Sequence, residues 1–451
     1  MGEDVKKLIN VFFIAMMNLF VVFAQDSVAI EKDCELLKTY LQDVSIDCSL
    51  AVDEGLVDLD DVIQKIKDDY NSRKKKSKAN NKGIYQEEFA KSIHNVLSKE
   101  LPYKNGHMSI QVLDYYEKVF PKQFVFFSGI YFEKRDSDFF VVESDVKSVK
   151  KGMKYTGDVE NLFQTVFNGE VLYQFGIFSP YMKNKTEISV ENKTKKVPIT
   201  WTSNYAKSDE LEYEITDDVF TIRIGTFMPK DPYVYEKKIR EIQKELEVTD
   251  KTVVFDLRGN SGGMLNYTTS FLYSLFMERT EENAALFSQI VDAIVANTTD
   301  INTETLRQLL ILNNLQSHYR NLLTNPNRYI FHESETSEVA IENPKYKKNL
   351  YVLVSSYSAS SAEYFANYAK CMYDNTIIVG DNTSGCADFG TSITCTLTDS
   401  KVSILLCATD GRNTYCFANN ESWKGDCYGI FPDYWAVGDN VQKTLDFLIH
   451  K

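Results

Sequence analysis

Three hydrophobic patterns succeed one another along the chain. From residue 26 to about 105, Ile30, Leu36, Leu37, Tyr40 and Leu41 recur at helical spacing, and Leu59, Val62, Ile63 and Ile66 do the same. The run Ser72-Arg73-Lys74-Lys75-Lys76-Ser77-Lys78 reads as a solvated basic linker, and a further helix is predicted over about 85–100. From 108 to about 230 the chain favours strands rich in β-branched and aromatic residues: Phe124 to Phe127, Phe139 to Val142, Val171 to Phe178, Val197 to Trp201 and Phe220 to Ile224. After Phe227 helix and strand alternate. A helix over about 232–247 precedes the strand Thr252 to Leu257 and a helix from Leu265. A helical insertion over about 281–325 then precedes the strand Asn349 to Ser355 and a helix Ser361 to Met372. That alternation predicts an α/β core. The domain plan is residues 26–105 helical, 106–215 β-rich and 216–451 the core.

The first 25 residues stand apart. Lys6 and Lys7 precede an apolar run from Leu8 to Ala24 that ends Val22-Phe23-Ala24-Gln25, the form of a secretory signal over residues 1–24. An uncleaved signal-anchor and a buried helix are the alternatives. No other stretch is apolar enough to span a bilayer, so no stable membrane span is expected after cleavage. Eight cysteines, split as Cys34 and Cys48 against Cys371, Cys386, Cys395, Cys407, Cys416 and Cys427, suit disulfides in an oxidising lumen. Cys34–Cys48 and Cys416–Cys427 are the simplest pairings. Glycosylation sequons begin at Asn184, Asn192, Asn266, Asn297, Asn382 and Asn420. The expected location is secreted or endomembrane-lumenal.

Composition changes the picture by exclusion. Of 451 residues, 50 are Lys or Arg and 64 Asp or Glu, a net charge of −14, which argues against nucleic acid as the main partner. With 43% hydrophobic and 25% charged residues the chain is globular in composition. No Cys-x-x-Cys pair occurs, so a zinc site has no support.

Two strand–turn–helix corners carry candidate chemistry. The first is Val253-Val254-Phe255-Asp256-Leu257-Arg258-Gly259-Asn260-Ser261-Gly262-Gly263. Its glycines let the backbone turn and present free N–H groups, which suit an oxyanion; a tight turn with a salt-bridged Arg258 explains the same residues. The second is Leu353-Val354-Ser355-Ser356-Tyr357-Ser358-Ala359-Ser360-Ser361-Ala362-Glu363. A serine between strand and helix is a candidate nucleophile, and Ser360-x-x-Glu363 is equally a helix capping box.

Taken together with Val379-Gly380-Asp381-Asn382-Thr383-Ser384-Gly385, the corners resemble the C-terminal-processing, or tail-specific, serine protease family over about residues 216–436. Phe220 to Ile224 and Gly429-Ile430-Phe431-Pro432-Asp433 extend the match. The resemblance implies a ClpP/crotonase-like α/β sandwich protease core, preceded by a helical cap and a β-rich module that is PDZ-like or unrelated. It implies Ser360 as nucleophile, an oxyanion hole from Ser361 N–H with Gly262 or Gly263, a polypeptide substrate, and no metal or cofactor.

One position departs from the family. Where many members carry the basic lysine of a Ser–Lys dyad, this chain has Cys386. The tricorn-like branch lacks that lysine and uses an upstream histidine. Asn105-Gly106-His107-Met108 resembles that branch's Asp-Gly-His-Thr, which points to His107 as base; His94, His318 and His332 are weaker candidates. The branch's orienting acid corresponds to Asp426, with Glu421 in reserve. The resulting expectation is a serine endopeptidase with a Ser360–His107–Asp426 triad. The alternatives are an inactive relative that binds hydrophobic ligands or polypeptide ends, as the interphotoreceptor retinoid-binding protein reuses this fold, and a surface adhesion protein. Cys386 favours the binder and His107 the enzyme.

Overall fold

In the segment Thr252–Asp256 every second side chain faces the same way, and its central residues Val253, Val254 and Phe255 put buried apolar side chains on both faces, which is the signature of a strand buried between two layers. A computed structural model describes residues 29–76, 82–302, 329–333, 340–341 and 343–451 of the chain. It places this strand inside a six-stranded sheet whose order is Tyr434–Trp435, Thr376–Gly380, Leu350–Val354, Thr252–Asp256, Val219–Ile224 and Leu211–Ile215. All neighbours are parallel except the edge pair of Val219–Ile224 with Leu211–Ile215. Val253 and Phe255, with Leu350, Val352 and Val354, join a core against the helices Pro232–Val248, Asn266–Phe276 and Ser361–Met372. Val254, Tyr351 and Leu353 pack on the opposite face with Val441 and Leu445 of the helix Asn440–His450. The core is thus a mixed α/β layer structure, as the alternation in the sequence predicts.

Ahead of it the β-rich module holds. Phe124–Arg135, Asp138–Ser144, Leu162–Phe167 and Glu170–Ser179 form a four-stranded antiparallel sheet, and Lys185–Val190 pairs with Lys193–Pro198. Between residues 121 and 215 the single helical element is the short turn Val159–Asn161.

The chain divides into two compact units. The unit just described contains 121–299, 331–390 and 411–451. The other contains the described residues up to 120, together with those of 300–330 and with 391–410. In the latter, residues 29–43 and the helices Ile46–Asp53, Leu59–Lys76 and Lys82–Glu100 accompany a sheet in which Ser109–Val112 pairs antiparallel with both Tyr115–Lys118 and Ser403–Asp410. Buried Asp33 accepts the N–H groups of Asp399 (3.0 Å) and Ser400 (2.7 Å), which ties the start of the helical region to the tip of a hairpin late in the sequence.

The basic run departs from its linker reading. Arg73, Lys74, Lys75 and Lys76 form the last turn of the helix Leu59–Lys76, where four cations are favoured by the helix dipole, and Arg73 also pairs with Asp69 and Glu88. The expected insertion is helical over Glu281–Ile294 and extended over Thr298–Ile301, and its later part lies outside the described residues. The predicted signal segment also lies outside them. No helix among the described residues is long and apolar enough to cross a membrane.

Candidate active site

The strand Leu350–Val354 is buried along its whole length and ends in a turn of buried serines. Ser355 Oγ donates to the Arg258 carbonyl (2.5 Å), and Ser358 Oγ donates to the Leu257 carbonyl (2.8 Å). Ala359 N–H donates to the Asn260 carbonyl (3.0 Å), and Ser361 Oγ to that of Gly263 (2.6 Å). Four bonds therefore stitch the second corner onto the first. A stretch that looks merely polar in sequence satisfies the backbone groups that two adjacent turns would otherwise leave buried and unpaired.

At the junction Ser360 takes φ 54° and ψ −119°. A helix N-cap ordinarily has extended backbone, so capping alone does not explain this conformation. Its N–H donates to the Glu363 carboxylate (2.9 Å), so the backbone half of the predicted box is present. A non-glycine residue in this region carries strain on the order of 1–3 kcal/mol, which the surrounding bonds must hold, and such residues cluster at functional sites.

Gly262 (φ 100°) faces this serine, and the next residue, Gly263 (φ 138°), lies against the Phe227–Met228 backbone while its carbonyl accepts from Ser361 Oγ. A methyl group at Gly262 would lie 2.8 Å from Ser360 Cβ, and one at Gly263 would lie 2.2 Å from the Phe227 carbonyl carbon, so close approach excludes any side chain at either. Gly262 N–H is donated to Asn260 Oδ1 (2.8 Å). Among the described residues the N–H groups of Gly263 and Ser361 have no hydrogen-bond partner. The alternative reading of Arg258 also holds, since its guanidinium makes two bonds to Asp256, at 2.9 and 2.7 Å.

Glu363 does more than the sequence indicated. It is fully buried and accepts from Thr383 Oγ1 (2.5 Å), Gly385 N–H (2.8 Å) and Cys386 N–H (2.9 Å) as well as from Ser360 N–H. Burial pushes its carboxyl up to about 6, against the lowering effect of these donors. The motif Val-Gly-Asp-Asn-Thr-Ser-Gly is thereby hung on the residue three places after the serine. Asp381, from the same motif, accepts Ser356 N–H (3.2 Å), and burial raises its carboxyl to about 7. Cys386 is buried, with Sγ 3.6 Å from Ser384 Oγ. All eight cysteines are thiols in the structure.

Asp426 is buried and accepts the N–H groups of Ala387 (2.8 Å) and Asp388 (2.9 Å), directly after Cys386. Ser360, Glu363, the 383–388 loop and Asp426 therefore share one hydrogen-bonded path. Glu421, the reserve acid, is exposed. Sequence reasoning also missed Lys122, whose ammonium donates to the Ser356 carbonyl and lies over the rings of Phe124 (4.7 Å) and Tyr357 (5.0 Å).

His107 belongs to the other unit. There Asn105 Oδ1 accepts His107 N–H (3.0 Å) in a local turn, and the His107 carbonyl accepts from Lys118 Nζ (3.2 Å), just ahead of the strand Ser109–Val112. The imidazole is half-buried. His94 bonds the Lys118 carbonyl (3.1 Å) from mid-helix, and His318 lies outside the described residues. No group of three or more His, Cys, Asp or Glu among the described residues could hold a metal ion.

Comparison with known proteins bears on this arrangement. No curated protein matches the sequence. Solved structures that resemble the chain include mature CPAF (12% identity, 94% of this chain and 96% of that one, TM-score 0.43). The photosystem II D1 C-terminal processing protease is another (10%, 94% and 96%, TM-score 0.36), as is the tricorn protease (11%, 93% and 36%, TM-score 0.33). The family model for peptidase family S41 matches residues 218–404, a span that holds both corners and the Val-Gly-Asp-Asn-Thr-Ser-Gly motif. Residues 218–404 thus match peptidase family S41, and the resemblance to the C-terminal-processing serine proteases read from the three motifs is borne out.

Proposed function

We propose that this protein is a secreted or endomembrane-lumenal serine endopeptidase of the tricorn-like branch, working through Ser360, His107 and Asp426. The observation that carries the reading is Ser360 itself. It is a non-glycine residue at φ 54°, beside two backbone N–H groups, of Gly263 and Ser361, that have no other partner among the described residues. Strain at a strand-to-helix turn exposes a hydroxyl, and two unused donors beside it suit the oxygen of a tetrahedral intermediate.

In this reaction Ser360 Oγ attacks the substrate carbonyl carbon as His107 takes the hydroxyl proton. The carbonyl oxygen becomes an oxyanion held by Gly263 and Ser361. The C–N bond then breaks, His107 passes its proton to the departing amine, and water releases the acyl group by the same steps. Asp426 orients His107. Cys386 supplies its backbone N–H to Glu363 and takes no part as a base. A serine hydroxyl is a weak nucleophile without a base, so the missing lysine makes His107 essential.

The test is hydrolysis of unfolded polypeptide by purified protein. Ser360→Ala and His107→Gln should each lower kcat/KM by about 10⁴-fold or more, with Asp426→Asn hurting less. A folded Ser360→Ala protein with full activity would overturn the assignment.

A further inference from the structure

The unit that carries His107 also holds a buried acid that no step of the reaction uses. Asp47 lies in the first turn of the helix Ile46–Asp53 and is buried. Ser45 Oγ donates to its Oδ1 (2.6 Å), while Oδ2 has no hydrogen-bond partner among the described residues. Burial pushes the Asp47 carboxyl up, and Ser45, the Asn105 side chain and the N–H groups at the helix start pull it back. An unpaired oxygen on a buried carboxylate is costly, so a donor is needed there. Asn105 offers one. It is fully buried, and the groups around its Oδ1 fix which way the amide points. That oxygen accepts His107 N–H (3.0 Å) and Met108 N–H (3.3 Å), and the Cys407 thiol donates to it from 3.7 Å. Only the oxygen of an amide can accept, so Nδ2 points away from these donors. It too is buried without a partner among the described residues. The orphaned acceptor and the orphaned donor thus sit on two side chains that the fold sets against each other.

We propose that Asp47 is a positioning residue for His107: its carboxylate holds the Asn105 amide, and Asn105 in turn sets the backbone from which the imidazole projects. The inference rests on the reading of His107 as base and adds a residue from the helical region to it. The path is short. The Asn105 side chain closes a turn over Gly106, and that turn fixes His107 N and with it the direction of the side chain. Lys118 Nζ donates to the carbonyls of Gly106 (2.7 Å) and His107 (3.2 Å) in the same turn. Without the carboxylate, a rotated Asn105 would release both N–H groups at once. A base misplaced by about 1 Å can cost about 100-fold in rate, so this turn must be held more firmly than an ordinary loop. The pairing also dictates residue types. An acid at 105 would face the acid at 47 with like charge and no donor, whereas exchanging the two side chains would restore donor and acceptor.

The experiment exchanges the pair in the full chain. Asn105→Asp should lower kcat for Ser360-dependent peptide hydrolysis by about 100-fold, with KM nearly unchanged. Asp47→Asn should lower it only about 2- to 5-fold, because an asparagine can still turn its carbonyl to Asn105. The double variant should recover at least about 10-fold of the loss. Asp47→Ala, which adds no charge, serves where Asn105→Asp does not fold, and should cost about 10-fold in kcat. A readout free of activity accompanies these. The His107 ring signals in proton–carbon NMR, assigned with His107→Gln, should form one set in the wild type. They should move or double in Asn105→Asp and Asp47→Ala, and return in the double variant. A folded double variant no better than Asn105→Asp, or ring signals unmoved by Asp47→Ala, would overturn the inference and leave the peptidase intact. Absence of any Ser360-dependent cleavage would instead remove the peptidase reading, and with it the role of Asp47 toward a base.

Discussion

At the end of the strand Thr252–Asp256 the chain turns on glycines at φ 100° and 138°; at the end of Leu350–Val354 it turns on a serine at φ 54°. The two strands are parallel neighbours, and their corners are bonded to one another. They solve the same geometric problem with opposite chemistry. The first corner offers only backbone, so glycine serves at no steric cost. The second must offer a side chain, so it keeps a residue that the backbone conformation penalises. Glu363 and Asp381, bonded to Ser360 N–H and Ser356 N–H, hold that penalised turn in place. On the proposed function, strain kept where a hydroxyl is needed, and avoided where it is not, is what a nucleophile corner beside an oxyanion corner requires.

The contrast can be broken most severely at Gly263. In Gly263→Ala the methyl group meets the Phe227 backbone at 2.2 Å, so the loop must shift. Urea unfolding should show a loss of about 3 kcal/mol or more, and peptidase activity should fall at least about 100-fold as the donor moves. A Gly263→Ala variant as stable and active as the wild type would show that close approach has no role.

Ser360→Gly sharpens the comparison by making the second corner like the first. It removes the hydroxyl and relieves the backbone, so activity should vanish while stability rises by about 1 kcal/mol in the same unfolding measurement. Lower stability than that of Ser360→Ala would argue that the serine backbone is not strained.

The smallest effect concerns pH. Glu363 and Asp381 have folded-state carboxyls raised to about 6 and about 7 by burial, above the ordinary values of 4.5 and 3.8. The folded protein therefore holds protons that the unfolded chain releases. Their contribution to stability is complete below the ordinary values and is lost as pH rises through about 6 and 7. Melting temperatures of the wild type relative to Asp381→Asn should accordingly decline from about pH 4 to about pH 8. A difference that stays flat or grows with pH would contradict the burial argument.

These corners were legible because their signals are local. An apolar run that meets Gly-Gly or Ser-Ala-Ser-Ser must turn, and the helix Ser361–Met372 begins and ends where its sequence places it. Glu363 was legible only as a capping residue, since the partners that make it a hub, at 383–386, come from a loop that the fold alone brings near. The basic run was misread because a helix with a charged last turn and a solvated linker share one composition. The pairing of Ser109–Val112 with Ser403–Asp410 leaves no trace in periodicity, because each strand carries its own alternation and nothing names its partner.

The central claim is that Ser360 is an activated nucleophile, and fluorophosphonate labelling of the purified protein tests it most directly. The phosphonyl adduct, located by mass spectrometry of the digested protein, should fall on Ser360 and disappear in His107→Gln. An adduct on another residue, or none on a folded protein, would contradict the account.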